Sequence, residues 1–148
     1  MAAEDHAMTL TGSPLWTPGQ TYTVGAYWTI NDTLETGDTF TASSILPSQK
    51  VTIVGGRVYG KEADTNASAT GTIIVGDGTD TDGYLASQVW GGAESTFDAP
   101  FNGALMGTES AAGRNIVLTL GGTVATGATS GRIGVEVTYL CSNGARIS

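Results

Sequence analysis

The residues best suited to holding an ion lie in one short acidic turn, where Asp77, Asp80 and Asp82 precede Gly83. Calcium binds carboxylate oxygens clustered on a tight loop, and the Asp80-x-Asp82-Gly83 spacing partly matches an EF-hand loop. The bidentate acid that such a loop needs further along is missing from residues 87–89. Aspartate also favours turns, because its carboxylate accepts hydrogen bonds from nearby backbone N–H groups. A strand-connecting turn is therefore the preferred interpretation, with calcium binding as the alternative.

Nucleophilic catalysis and metal binding have few residues to draw on. His6 is the only histidine and lies in the N-terminal segment, where we expect it to be solvated. Cys141 is the only cysteine, and its place at the end of a predicted strand is typical of a small, partly buried hydrophobic side chain. The chain has no GxSxG elbow, no P-loop motif and too few Cys and His residues for a zinc site. We therefore predict no cofactor.

Paired carboxylates are the remaining route to catalysis, since some sandwich-fold glycosidases place two acids on opposing strands. Most acids of this chain lie in predicted turns. Glu136 is the one carboxylate in the middle of a predicted strand, on a face with Thr138 that looks towards solvent. We predict no catalytic residues and keep glycoside hydrolysis only as a third hypothesis.

Aromatic side chains could instead form a sugar-binding face, as in lectin-like jelly rolls. The candidates are Trp16, Trp28, Trp90, Tyr27, Tyr59 and Tyr84. Trp28 falls on the apolar face of a predicted strand and is assigned to the core. Trp90, next to two glycines, is the best exposed candidate. Burial in the core or in a subunit interface is the competing interpretation for this set.

Five large apolar side chains are the candidates for contacting a partner, namely Leu15, Trp16, Trp90, Phe97 and Phe101. Trp16 lies in a segment without periodicity, so it either packs on its own domain or anchors in a neighbouring subunit. Phe97 and Phe101 lie in a loosely patterned stretch, where they fill either the core or an interface.

The composition is that of one all-β domain. The 148 residues are 40% hydrophobic and only 14% charged, with 22 glycines and no periodic run typical of a long helix. Fourteen acids against six dispersed bases give a net charge of −8, which disfavours nucleic-acid binding. No apolar run approaches the roughly 20 residues of a membrane helix. A single cysteine excludes an intrachain disulfide, and the start lacks the apolar stretch of a signal peptide, so we expect synthesis in the host cytoplasm.

Alternation of apolar and polar residues predicts the strands. The clearest lie at residues 21–30, 51–59, 70–75, 115–120 and 132–140, with a short one at 38–43. Residues 86–89 fit either a strand or a helical turn. Gly55 and Gly56, inside a strand, indicate a bulge or the close approach of another backbone. Residues 70–75 carry apolar side chains on both faces, which favours a strand covered on both sides.

These elements predict a two-sheet antiparallel sandwich of about eight strands, with jelly-roll topology preferred over an immunoglobulin-like one. We divide the chain into an extended N-terminal arm at residues 1–20, the β-sandwich at 21–141 and a C-terminal tail at 142–148. The arm is expected to become ordered when it docks on something.

Three segments carry a resemblance to a known class of protein: residues 45–51 (ILPSQKV), 56–59 (GRVY) and 75–85 (VGDGTDTDGYL). They resemble small structural proteins of tailed bacteriophages, whose genes accompany that of the major capsid protein. Those proteins often show an LP-x-x-x-x-V segment, a strand, a VGDGTDTD-type turn and a final alternating strand like residues 133–139. The resemblance implies a jelly-roll-like fold, a capsid decoration (cement) or head-fibre role, and often trimers, with no catalytic residues to carry over.

The first hypothesis is thus a non-enzymatic virion protein that binds the outer surface of a phage capsid. Its partners would be the major capsid protein and other copies of itself in a homotrimer, with the arm reaching across subunits. A carbohydrate-binding jelly-roll module and a tail or fibre component of the virion are the alternatives.

Overall fold

The computed structural model describes residues 5–29, 37–62, 70–77, 79–89, 96–109, 115–123 and 131–142. Ten strands occur in these ranges: β1 (Asp5–Ala7), β2 (Thr9–Leu10), β3 (Thr21–Thr29), β4 (Thr39–Ala42), β5 (Val51–Glu62), β6 (Thr70–Gly76), β7 (Leu85–Val89), β8 (Thr96–Pro100), β9 (Ile116–Thr123) and β10 (Gly131–Cys141). No helix long and apolar enough to cross a membrane is found in the described ranges.

The strands form two five-stranded sheets, which we call sheet A (order β1-β4-β9-β6-β7) and sheet B (order β2-β3-β10-β5-β8). The eight strands from β3 through β10 form four nested antiparallel pairs, in which the first strand pairs with the last. These pairs are β3 with β10, β4 with β9, β5 with β8 and β6 with β7. The chain is therefore a long antiparallel ribbon wrapped so that successive strand pairs alternate between the sheets. This is jelly-roll topology, and it confirms the predicted all-β sandwich.

Alternating side chains build the core between the sheets. In β10, Ile133, Val135, Val137 and Tyr139 are fully buried, whereas their neighbours in the strand face outwards. In β9 the same alternation buries Ile116, Leu118 and Leu120. Because the side-chain period of a strand is two, each of these strands presents one apolar face to the opposite sheet.

The predicted irregularity in β5 is confirmed. The pairing of β5 with β10 shifts register at Val54, which has no partner in β10 and is 47% exposed. Next to it, a side chain on Gly56 would lie 2.5 Å from the ring of Phe101. The glycine thus makes room for an aromatic ring that closes the core at this end.

The segment predicted as an arm supplies β1 and β2, one strand to the edge of each sheet. β1 pairs in parallel with β4, and β2 pairs antiparallel with β3. Between them, the Met8 amide donates to the Thr41 carbonyl at 2.9 Å. Residues 5–10 therefore bridge the two sheets along one edge, and their removal would expose the core.

Candidate functional site

The described residues form a pocket of about 560 Å³ beside the segment that precedes β3. It is lined by Pro14, Leu15, Trp16, Ser44, Leu46, Pro47, Ser48, Gln49 and Asn115. Two of the predicted interface residues, Leu15 and Trp16, thus lie side by side in its wall. Leu15 is 60% exposed, the highest value among the large hydrophobic side chains described.

Three hydrogen bonds hold the wall of the pocket in place. The Tyr139 hydroxyl donates to the Leu15 carbonyl, and Trp16 Nε1 donates to the Lys50 carbonyl at 3.3 Å. Further along, the Gly19 amide donates to the Cys141 carbonyl at 3.0 Å. Burial raises the pKa of the Tyr139 hydroxyl, while its bond to Leu15 opposes that shift. Leu15 is therefore presented to solvent by a backbone that is fixed to the sandwich.

The lining of this pocket is chemically suited to contact rather than to reaction. None of the described residues that line it is acidic or basic. Ser44 has a positive φ of 61°, an uncommon conformation for a serine, but it lies in the turn after β4 among neutral side chains. A mixed lining of neutral polar and apolar groups fits a side chain or a short segment of another protein.

The outer face of sheet A forms a second candidate surface, which we call the threonine face. Its outward side chains from the three adjacent strands β4, β9 and β6 are Thr39, Thr41, Thr72, Ile74, Val117 and Thr119. All six are uncharged and partly exposed. Ile74 and Val117 account for the apolar pattern on both faces of these strands, because their neighbours Ile73, Val75, Ile116 and Leu118 are buried whereas these two side chains are partly exposed on the outer face. In the described residues, the strand predicted to be covered on both sides is therefore buried on its inner face only.

The outer face of sheet B, the charged face, is different in character. Arg57 binds two acids at once, with Nη1 2.7 Å from Asp98 Oδ2 and Nε 3.0 Å from Glu136 Oε1. The hydrogen bond to Glu136 raises the pKa of Arg57 further. The Glu136 carboxylate considered for glycoside hydrolysis is thus engaged in an ion-pair network on an open sheet.

Two tyrosines on the charged face were candidates for sugar stacking. Tyr27 and Tyr59 lie on either side of Gly134 in register. An arginine covers each ring: the Arg132 guanidinium lies 4.3 Å from the Tyr27 centroid, and that of Arg57 lies 4.6 Å from the Tyr59 centroid. Since the guanidinium groups occupy a face of each ring, this row is better explained by cation–π packing than by a sugar platform.

The acidic turn after β6 is organised by its own backbone. Asp77 Oδ1 accepts the amides of Thr79 and Asp80, both at 2.9 Å. A hydrogen bond with the Asp82 carboxyl raises the pKa of Asp80, and desolvation adds to the shift. No group of three or more His, Cys, Asp or Glu residues in the described ranges could hold a metal ion. The two hydrogen bonds that Asp77 Oδ1 accepts are those of a strand-connecting turn.

His6 was expected to be solvated, and that expectation is wrong. The residue is 9% exposed, and its Nε2 lies 3.1 Å from Oδ2 of the buried Asp38. Its ring centroid lies 4.3 Å from that of Trp28 and 5.0 Å from that of Phe40. The residue fills the gap between the edges of the two sheets, because β1 pairs with β4 rather than extending into solvent.

The other predicted interface residues are not gathered at the pocket. Phe101 is 8% exposed and packs on Tyr84, with ring centroids 5.9 Å apart, so it belongs to the core. Phe97 lies in β8, but its side chain is outside the described part of the chain. Trp90 lies entirely outside the described residues. Sequence reasoning did not find the threonine face, although the alternation of threonines with core residues in β4 was a usable signal.

The sequence matches no protein-family model and no curated protein. In fold, the chain is similar to one chain of the solved structure of the cyanophage Pam1 capsid asymmetric unit. The TM-score is 0.59 at 23% sequence identity, over 86% of this chain and 92% of that chain. The likeness in fold therefore extends over most of both chains.

Proposed function

We propose that this chain is a non-enzymatic structural protein of a phage virion, which binds the exterior of the capsid and stabilises or decorates it. The observation that carries the proposal is the fold shared with a chain of a capsid asymmetric unit over 86% of the present chain. The sequence resemblance to tailed-phage virion proteins supports it independently, because it came from residues 45–85 rather than from the fold.

The threonine face is the surface that we assign to the major capsid protein. The cores of protein interfaces are depleted of charged residues, and the six outward side chains of this face carry no charge. The Asp5 carboxylate, which accepts the Thr39 and Thr41 hydroxyls, lies at the β1 edge of the face and would fall in the polar rim of the interface. A rigid sheet also needs little reorganisation on docking, so less conformational entropy is lost. The pocket around Leu15 supplies a second contact, from a copy of the chain or from the capsid, in a proposed homotrimer assembled on the virion.

Co-sedimentation with particles tests this function. Particles of the encoding phage, stripped of the protein, are mixed with the recombinant chain and pelleted, and the bound fraction is measured. We expect saturable binding by the native chain and weaker binding by Thr119→Lys, which places a charge in the centre of the threonine face. Thr23→Lys is the matched control, since Thr23 is an exposed strand residue on the outer face of sheet B.

Two results would overturn the proposal. If the native chain stays in the supernatant at saturating concentration, and mass spectrometry of untreated particles does not detect it, the virion role is wrong. If Thr23→Lys weakens binding as much as Thr119→Lys does, while both variants melt like the native chain, the assignment of the threonine face is wrong.

A further inference from the structure

The pocket beside the segment that precedes β3 is built by loops, whereas the two broad faces are built by strands. Its lining comes from three separate stretches of the chain, at residues 14–16, 44–49 and 115, all outside the strands. Its volume of about 560 Å³ lies within the range of small-molecule sites, about 300–1,000 Å³. We propose that this pocket binds a neutral saccharide, with one hexose unit inside it. The inference goes beyond the proposed virion role and concerns the isolated chain.

Trp16 supplies the apolar surface on which the sugar ring stacks. Its Nε1 donates to the Lys50 carbonyl at 3.3 Å, and the adjacent Leu15 carbonyl accepts the Tyr139 hydroxyl. The indole is thus held in place before a ligand arrives, so little side-chain entropy is lost on binding. Trp16 is partly exposed in the wall of the pocket, and an indole offers a flat apolar surface to the C–H groups on one side of a hexose.

Four polar side chains line the same pocket, and all of them are hydroxyls or amides: Ser44, Ser48, Gln49 and Asn115. Like the hydroxyls of a sugar, each of these side chains can both donate and accept a hydrogen bond. Gln49 Oε1 accepts the Ser48 hydroxyl at 3.4 Å, a long bond that leaves the Gln49 NH₂ group for a ligand.

The partly buried Asn115 amide carries this argument furthest. Within the described residues, neither the Asn115 side chain nor the Ser44 hydroxyl has a hydrogen-bond partner. Polar groups withdrawn from solvent are normally paired, so an amide of this kind in a pocket wall is satisfied by a ligand or by water. Ser44 also has a φ of 61°, and such uncommon backbone conformations cluster at ligand sites.

The charge of the lining narrows the class of ligand. None of the described lining residues is acidic or basic, so a bound phosphate, carboxylate or ammonium group would lose hydration without gaining an ion pair. A purely apolar ligand would leave the hydroxyls and amides without partners. A neutral polyhydroxylated ring with one apolar side satisfies both halves of the lining. Leu15, which is 60% exposed, stays available at the solvent side for the proposed contact with another protein.

Nitrogen-15 NMR of the full chain tests the inference, because three tryptophans give three separate indole N–H signals. The Trp16 signal is identified by its loss in Trp16→Phe. The native chain is titrated with glucose, galactose, mannose and N-acetylglucosamine, each to about 50 mM, since a ligand of this size should have a dissociation constant on the order of 1 mM. We expect at least one of these sugars to move the Trp16 signal saturably while the signals of Trp28 and Trp90 stay in place.

Two glutamines provide a matched pair of variants. Gln49 lines the pocket, whereas Gln20 is equally an exposed residue and does not. Gln49→Ala and Asn115→Ala should each weaken sugar binding about tenfold, because each removes one hydrogen-bonding group, and Gln20→Ala should leave binding unchanged. Each variant is first required to melt as the native chain does.

Three results would overturn the saccharide site. They are no saturable shift of the Trp16 signal with any of the four sugars, a sugar-dependent shift confined to Trp90, and equal weakening by Gln20→Ala and Gln49→Ala. If the Trp16 signal moves with protein concentration but not with sugar, the pocket binds another protein chain and the saccharide assignment is likewise wrong. Because no phage particle enters the titration, its result is independent of the co-sedimentation assay.

Discussion

The imidazole of His6 and the carboxylate of Asp38 form the most deeply buried polar contact described between the N-terminal segment and the sandwich. Asp38 is 1% exposed and immediately precedes β4. Aromatic rings from both sheets, those of Trp28 and Phe40, pack on the imidazole. One side chain therefore joins β1 to the core and to both layers.

Replacing His6 with alanine should be strongly destabilising. The change removes a partner of a buried carboxylate and leaves a space between two aromatic rings. Breaking a buried pair of this kind costs about 3 kcal/mol in the free energy of unfolding. Urea denaturation followed by tryptophan fluorescence measures the loss.

Asp5→Ala is the control for this prediction. It removes two hydrogen bonds of the same strand, but at an exposed site, so we expect a loss of less than about 1 kcal/mol. Equal losses for the two variants would show that β1 is held by its strand pairing rather than by the buried pair.

The carboxyl pair in the acidic turn makes a prediction about pH. The native turn raises the pKa of Asp80 above its ordinary 3.8, mainly through the hydrogen bond with Asp82. A raised native pKa means that the folded chain holds this proton more tightly than the unfolded chain does. The contribution to stability is therefore complete below pH 3.8 and is lost as the pH rises through the raised pKa.

Asp80→Asn should consequently raise the melting temperature at neutral pH, because it keeps a hydrogen-bond donor towards Asp82 without a second negative charge. The gain over the native chain should shrink as the pH falls below 3.8, where the native acid is itself protonated. Thermal melts at neutral and acidic pH measure it. A lower melting temperature for the variant at neutral pH, or a rise of the native value on adding calcium, would favour the metal-site interpretation instead.

At the scale of the elements, a glycine fixes the turn that joins β6 to β7 within sheet A. Gly76 ends β6, and a side chain there would lie 1.9 Å from the Asp80 carbonyl oxygen in the turn that follows. Backbone cannot rotate out of the way as a flexible side chain can. The turn thus depends on a missing Cβ at the end of the strand.

We expect Gly76→Ala to destabilise the protein by about 2 kcal/mol or more, because the acidic turn must move away from β6. Gly121→Ala in β9 is the matched control in the same sheet. There the new methyl group meets only the Thr72 hydroxyl, at 2.9 Å, and a side chain can shift. Chemical denaturation of both variants compares the two costs, and a Gly121→Ala loss as large as that of Gly76→Ala would contradict the role given to the turn backbone.

Local sequence pattern predicted most of the strands, and failed where pairing partners decide the structure. β3, β9 and β10 alternate cleanly, so their core faces could be assigned in advance, whereas in β5 only the irregularity at Gly55 and Gly56 could be predicted. The short strands β1, β2 and β8 were not predicted. They are strands because they pair with the edge of a sheet, and the sequence pattern does not show where the sheet edges lie. Leu15 and Trp16 could be predicted as contact residues from their type and position. The pocket that they share with residues 44–49 could not be predicted, because the sequence does not show which segments pack together.

At the scale of the whole molecule, the two broad faces divide the polar chemistry between them. The charged face carries the ion-pair network of Arg57, whereas the six side chains of the threonine face are neutral. The chain as a whole carries a net charge of −8. The ion-pair network thus lies on the outer face of sheet B, while the threonine face is bordered at its β1 edge by the Asp5 carboxylate, which accepts the hydroxyls of Thr39 and Thr41.

This division predicts how binding to particles responds to salt. If the threonine face makes the contact, few charges are paired across the interface, so screening has little to weaken. Between about 0.05 and 0.5 M NaCl, the dissociation constant of the native chain for stripped particles should change by less than about threefold.

The alternative surface gives the opposite result in the same titration. Docking through the acids of the charged face and the acidic turn would pair them with a basic partner, and affinity would fall steeply as salt rises. Thr119→Lys distinguishes the two surfaces. If the threonine face makes the contact, the added charge should weaken binding at every salt concentration. A lysine buried in that interface loses its hydration without gaining a partner of opposite charge. A steep salt dependence for the native chain, together with native-like binding by Thr119→Lys, would transfer the contact to the charged side of the molecule.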